Sequence, residues 1–122
     1  MLYAILCYDS EDVVSAWTKE EDDAVMAKLH VIHEKLEWQG RLGPTARLLP
    51  TTSATTVRKG AEALVIDGPF AETKEQLLGF YLVDCETLKE AIGTAKDLAR
   101  ASSSAGSYEI RPVGLFMPGS LK

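Results

Sequence analysis

The sequence predicts an α+β domain: an antiparallel sheet, two helices on one face of it, and a β-hairpin inserted between two β-α-β halves. Three observations carry this. Leu2–Tyr8 and Gly79–Asp84 alternate like strands yet are apolar on both faces. Two longer segments have helical periodicity and each opens on a Thr-x-x-Glu sequence, the signature of a capping box. Between the halves, two short runs of strand-forming residues flank a turn that contains glycine.

In Leu2–Tyr8, Leu2, Ala4, Leu6 and Tyr8 fall on one side and Tyr3, Ile5 and Cys7 on the other. A strand of this kind wants cover on both faces. Asp9–Asp12 reads as a polar turn. The first helix begins at Thr18, with Glu21 completing its box, and buries Val25, Leu29, Ile32 and Leu36. Gly40 ends it. Residues 41–49 read as extended, interrupted at Gly43-Pro44. Thr55–Arg58 and Ala63–Ile66 then form the hairpin around Lys59-Gly60-Ala61-Glu62. Asp67-Gly68-Pro69-Phe70 is a turn signal, and the charged stretch 71–78 can hold a helical turn. After Gly79–Asp84, with Phe80 and Leu82 on one face and Tyr81 and Val83 on the other, a second helix opens on Thr87 and Glu90. Its stripe is Leu88, Ala91, Ile92, Ala95, Leu98 and Ala99. Ser102–Gly106 is a loop, Tyr108–Val113 a last strand, and residues 114–122 a tail.

This order is the split βαβ, or ferredoxin-like, plan. Both helices cover one face of the sheet and leave the other face apolar and bare. Two-fold packing of sheet on sheet hides such a face, so the chain is expected to be a homodimer.

The chain has 122 residues, one domain by length, with a core over about 1–113. Its net charge is −5 and it has no run of Lys or Arg longer than two, which argues against nucleic acid as a partner. No segment approaches the ~20 apolar residues of a membrane span. The N-terminus lacks the basic and cleavage regions of a signal peptide. Cys7 and Cys85 lie in apolar strand-like stretches and read as buried thiols, so the cytoplasm is the expected compartment. The dinucleotide, phosphate-loop, esterase and zinc-protease motifs do not occur, and no cofactor or metal is expected.

Asp67-Gly68-Pro69-Phe70-Ala71-Glu72-Thr73-Lys74-Glu75-Gln76-Leu77, followed by Gly79-Phe80-Tyr81, resembles the signature of the DGPF proteins of the YCII-related family. Ala54–Arg58 and Glu109–Val113 are similar to two further blocks of that family, and the resemblance runs from Met1 to about Val113. It implies a ferredoxin-like subunit paired into a dimeric α/β barrel. Some YCII-related relatives are dehydrochlorinases or suspected enzymes that use a His and an Asp. DGPF proteins are often associated with extracytoplasmic-function sigma factors.

Asp67 is the leading candidate base, at a strand end before a Gly-Pro turn; its plainer role is to form that turn by accepting backbone N–H bonds. Glu72 and Lys74 lie near it, and Arg58 and Arg111 come from strands. Together they read either as a mixed-charge lining for a small ligand or as a solvated salt-bridge network. His30 and His33 are the only histidines. By helical phase His33 lies about 60° from the centre of the buried stripe and His30 about 120°. The family resemblance points to His30 as the nearer match to a functional histidine. Tyr81, with Tyr3 and Tyr8, reads as packing or as the lining of a cleft. Two functions follow: an enzyme that acts without a cofactor on a small polar or aromatic molecule, or a ligand-sensing or protein-interaction module.

Overall fold

Antiparallel pairing of the two doubly apolar strands organises the molecule. The computed structural model describes residues 1–102 and 104–121. Ser103, in the predicted 102–106 loop, and Lys122, the last residue of the tail, lie outside the described residues. The sheet contains β1 (Leu2–Asp9), β2 (Leu42–Arg47), β5 (Gln76–Asp84) and β6 (Ser107–Pro112), in the order β2-β5-β1-β6. Every pair is antiparallel. Helices α2 (Lys19–Trp38) and α3 (Leu88–Ala101) make the crossovers, so the plan is ferredoxin-like as predicted. The inserted hairpin, β3 (Thr55–Val57) and β4 (Val65–Asp67), forms a separate two-stranded sheet. Its strands pair Thr55 with Asp67 and Val57 with Val65, a slightly shorter ladder than predicted.

Pairing β1 with β5 sets Tyr3 opposite Val83 and Ile5 opposite Tyr81. These side chains turn toward the helices. Ile5, Val83, Cys85 and Leu98 are fully buried and pack with Tyr3, Leu36, Ala91 and Ala95. Burying each large aliphatic side chain contributes about 1.5–3 kcal/mol. Leu2, Ala4 and Leu6 of β1, with Phe80 and Leu82 of β5, face the opposite way and remain partly exposed.

Helix α2 begins as predicted. Thr18 Oγ1 accepts from the Glu21 N–H at 3.1 Å, and the Glu21 carboxylate accepts from the Thr18 N–H at 3.3 Å. It ends in a Schellman motif: Gly40, at φ +69°, donates to the Glu37 carbonyl, and Arg41 donates to the Leu36 carbonyl, both at 2.9 Å. Strand β2 carries its irregularity between Leu42 and Thr45, where Gly43-Pro44 cannot continue a regular ladder.

Four predicted details change. The polar turn at Asp9–Asp12 holds the start of a short helix, α1 (Glu11–Ser15), capped by Ser10. Residues 71–75 form bends and no helical turn, and β5 starts three residues earlier than predicted, at Gln76. The buried face of α3 is turned relative to the predicted stripe: Thr94 and Ala101 are inside, and Leu88, Ile92 and Ala99 are exposed. The fourth concerns Glu90. Thr87 Oγ1 caps the Glu90 N–H at 3.1 Å, but the Glu90 carboxylate bonds the Glu86 N–H and Arg41 instead of completing a box at Thr87.

Arg41 explains both Glu90 and Thr94. Its guanidinium meets Glu90 Oε1 at 3.0 Å and donates to Thr94 Oγ1 at 2.9 Å and the Asp84 carbonyl at 3.1 Å. One side chain thus joins the end of α2, the end of β5 and the first turns of α3. Arg41→Ala strips partners from a buried hydroxyl and a half-buried carboxylate, and is expected to cost about 2 kcal/mol. Urea unfolding at neutral pH measures it.

Candidate functional site

Toward the other end of the helix-facing surface, the sheet is not filled. One row across it reads Arg47 (β2), Gly79 (β5), Cys7 (β1) and Tyr108 (β6), set by the pairs Arg47–Gly79, Cys7–Gly79 and Cys7–Tyr108. The next row toward the core is Thr45, Tyr81, Ile5 and Ile110. Gly and Cys in the middle of the first row leave a hollow, and α2 crosses it. A cleft of about 290 Å³ results, lined mainly by apolar groups. Val25, Met26, Leu29 and His33 of α2 face it. Val14 and Trp17 close one side, and Ala99 and Ser102, at the end of α3, another.

Gly79 is required by close packing as well as by the hollow. A Cβ there would strike the Ala46 carbonyl oxygen of the neighbouring strand.

His33 and Tyr81 meet in this cleft. His33 Nε2 lies 3.1 Å from Tyr81 Oη, and the ring centroids are 5.1 Å apart. Either tautomer closes the bond: Tyr81 donates to a bare Nε2, or Nε2–H donates to Oη. Burial lowers the His33 pKa below the usual histidine range; His30 pushes the same way and Glu37 opposes it. Burial pushes the Tyr81 phenol up to about 12, helped by Cys7 and opposed by Arg47. Burial also raises the Cys7 thiol to about 12 and the Tyr108 phenol well above its ordinary value. These groups are therefore neutral at neutral pH, and the charge in the cleft comes from Asp9, Asp22 and Arg47 at its edges. Arg47 approaches Asp22 Oδ1 at 3.5 Å.

The predicted residues separate into groups. His33 and Tyr81 come together. His30 is on the outer side of α2, exposed, paired with Glu34 at 2.9 Å. Asp67, Glu72 and Lys74 share a second, wider and more polar recess of about 850 Å³ with Glu11, Thr51 and Gln76. Asp67 is exposed there, opposite Thr55 at the end of the hairpin. It does not reach the His33 cleft. Arg58 is exposed on the hairpin, its N–H bonded to the Leu64 carbonyl. Arg111 pairs with Ala4 and so points from the face away from the helices. Neither arginine lines either recess. Tyr3 belongs to the core, and Tyr8 borders the cleft.

Sequence reasoning missed Cys7, Arg47, Gly79, Trp17 and Tyr108. A signal was present for two of them. Cys7 and Gly79 are the small residues at the ends of the inward-facing sets Tyr3-Ile5-Cys7 and Gly79-Tyr81-Val83. Among the described residues, no group of three or more His, Cys, Asp or Glu could hold a metal ion. None of their helices is long and apolar enough to cross a membrane.

Helix α1, at one side of the cleft, is braced from the second recess. The Glu11 carboxylate accepts from the Thr51 N–H and hydroxyl, both at 2.8 Å, and the Glu11 N–H donates to Gln76 Oε1 at 3.0 Å. These bonds fix α1, which leads into Trp17.

Comparison with known proteins agrees with this architecture. An uncharacterized protein of Rhizobium meliloti (strain 1021) is 59% identical over 122 residues, covering 99% of this chain and 98% of that one. Among solved structures, 5-chloro-2-hydroxyhydroquinone dehydrochlorinase from Burkholderia phenoliruptrix AC1100, in complex with 2,5-dihydroxybenzoquinone, is similar in fold. The TM-score is 0.51 at 15% identity, with 93% of each chain covered. The model of the YCII-related domain matches residues 1–117, and the chain belongs to that family.

Proposed function

We propose that the cleft at His33 and Tyr81 catalyses proton transfer on a small polar or aromatic molecule, with His33 as base and Tyr81 as acid. The 3.1 Å contact between His33 Nε2 and Tyr81 Oη, inside a mostly apolar cleft, carries this reading. Burial holds the two groups in the states the chemistry needs. A neutral imidazole can take a proton from the substrate, and a protonated phenol can donate to the oxygen that gains charge. The similarity in fold to a dehydrochlorinase solved with a hydroxyquinone supports a small aromatic molecule as substrate. Proton transfer changes no oxidation state, so the step needs no electron carrier.

Hydroxylated and chlorinated benzenes provide a first substrate panel, followed by chloride release and by deuterium uptake. His33→Gln and Tyr81→Phe are each expected to lower kcat roughly a hundredfold or more, with thermal midpoints close to the parent. Turnover lost in Asp67→Asn but kept in His33→Gln would move the chemistry to the second recess.

His33 also gives the stability a pH dependence of known sign. Its folded pKa is lowered. Between that value and the unfolded value of about 6.5, the folded chain binds fewer protons than the unfolded chain. The contribution of His33 to stability is therefore full above about pH 6.5 and declines as pH falls toward its folded value. Urea midpoints between pH 5 and 7.5 should fall on acidification in the parent and fall less in His33→Gln.

The second recess favours a second reading, a sensing or interaction module linked to extracytoplasmic-function sigma-factor control. Its mixed Asp67, Glu72 and Lys74 lining is open and suits a peptide or polar ligand.

In either role we propose a cytoplasmic homodimer. Both cysteines are free thiols, as a reducing compartment would keep them. A second copy would cover Leu2, Ala4, Leu6, Phe80 and Leu82. Sedimentation at micromolar concentration should give twice the chain mass, and Leu6→Glu should shift it toward one; a monomeric parent defeats the proposal.

A further inference from the structure

The floor of the cleft has a shape and a charge that narrow the ligand. Its row rises at the ends, Arg47 and Tyr108, and is low in the middle, at Gly79 and Cys7. Neighbouring strands lie about 4.8 Å apart, so the row spans roughly 14 Å between its end backbones. The low middle accommodates one flat ring with substituents toward each end. Leu29, Met26 and Val25 supply an apolar surface above it, and His33 and Tyr81 border it.

Arg47 is the one Lys or Arg among the described residues that line the cleft. A guanidinium has five N–H donors in a planar fork. Those of Arg47 meet Asp22 Oδ1 at 3.5 Å and the Met26 sulfur at 3.8 Å. The first is longer than the 2.7–2.9 Å of a close charge-assisted bond, and the second acceptor is weak. The fork is thus loosely engaged at the mouth of an apolar slot.

We propose that this cleft selects a planar ring bearing an anionic oxygen, a carboxylate or an ionised enol or phenol, with Arg47 as the anchor that takes that oxygen in place of Asp22. The proposal rests on the reading of the cleft as a small-molecule site and adds to it the charge of the ligand and the residue that selects it. Anchoring one end on Arg47 lays the ring over Gly79 and Cys7, beside His33 Nε2 and Tyr81 Oη. Asp22 acts as a counter-charge that holds the fork in place while the cleft is empty.

Binding of 2,5-dihydroxybenzoate and of the uncharged hydroquinone, followed by calorimetry at low salt, tests this. The parent is expected to bind the anion more tightly. Arg47→Gln should weaken the anion roughly tenfold, the worth of one charge-assisted hydrogen bond, and leave hydroquinone within about twofold. Asp22→Asn, which removes the competing carboxylate, should tighten the anion severalfold. If both ligands bind and Arg47→Gln changes them equally, Arg47 is not the selector, and the cleft reading survives. Failure of both to bind the parent at millimolar concentration overturns the inference together with the reading beneath it.

Discussion

The antiparallel register of β1 against β5 is the constraint on which the core and the cleft both depend. It brings Tyr3, Ile5 and Cys7 onto the same face as Val83, Tyr81 and Gly79. Along that face the side chains start large and end small. The helices therefore close tightly over Ile5 and Val83, where Leu36 and Leu98 fill the layer, and stand off over Cys7 and Gly79. Slipping β1 by one residue would turn Tyr3, Ile5 and Cys7 to the other face and part them from Val83, Tyr81 and Gly79. Core and cleft are two ends of one surface.

This origin explains what was legible in the sequence. The apolar alternation of the strands and the periodicity of α2 depend on residues close together in the chain, and so does the Thr18-Glu21 box. They were readable and fixed the plan. The phase of α2 separated His33 from His30, and the structure has His33 on the cleft and His30 in solvent. The row of Arg47, Gly79, Cys7 and Tyr108 draws one residue from each of four strands, and no local pattern announces it. Glu90 misled for a related reason. The local rule assigned its carboxylate to Thr87, but Arg41, 49 positions earlier, offers a full charge. Helix α1 was hidden by its length, five residues, too short for periodicity to register.

Burial gives the cleft its electrostatic character. Four titratable groups in or beside it, Cys7, His33, Tyr81 and Tyr108, are all shifted toward their neutral forms, and desolvation is the largest cause in each case. The same cause acts on both members of the His33–Tyr81 pair but moves their pKa values in opposite directions. It lowers that of the histidine, whose protonated form is charged, and raises that of the tyrosine, whose deprotonated form is charged. A wide interval of pH then exists over which one group accepts and the other donates. Desolvation in the apolar cleft is the larger cause of both shifts, and the nearby charges of His30, Glu37 and Arg47 only modify them.

The Asp67–Leu77 block, the most distinctive stretch of the sequence, stands outside this cleft, yet it bears on it. Gln76, near the end of the block, accepts from the Glu11 N–H, and Glu75 Oε1 accepts from the Ser107 hydroxyl at 3.1 Å, at the cleft border. Glu11 in turn holds Thr51, just before the hairpin whose last residue is Asp67. The turn at Gly68 is tied back as well: its N–H donates to the Ala54 carbonyl, and its own carbonyl accepts from the Thr56 hydroxyl, both at 2.8 Å. The block thus joins the hairpin to α1, and α1 leads to Trp17 at the side of the cleft. A motif can be specific because it braces its surroundings, and here the bonds run from the motif to α1, whose Val14, with the following Trp17, lines one side of the cleft.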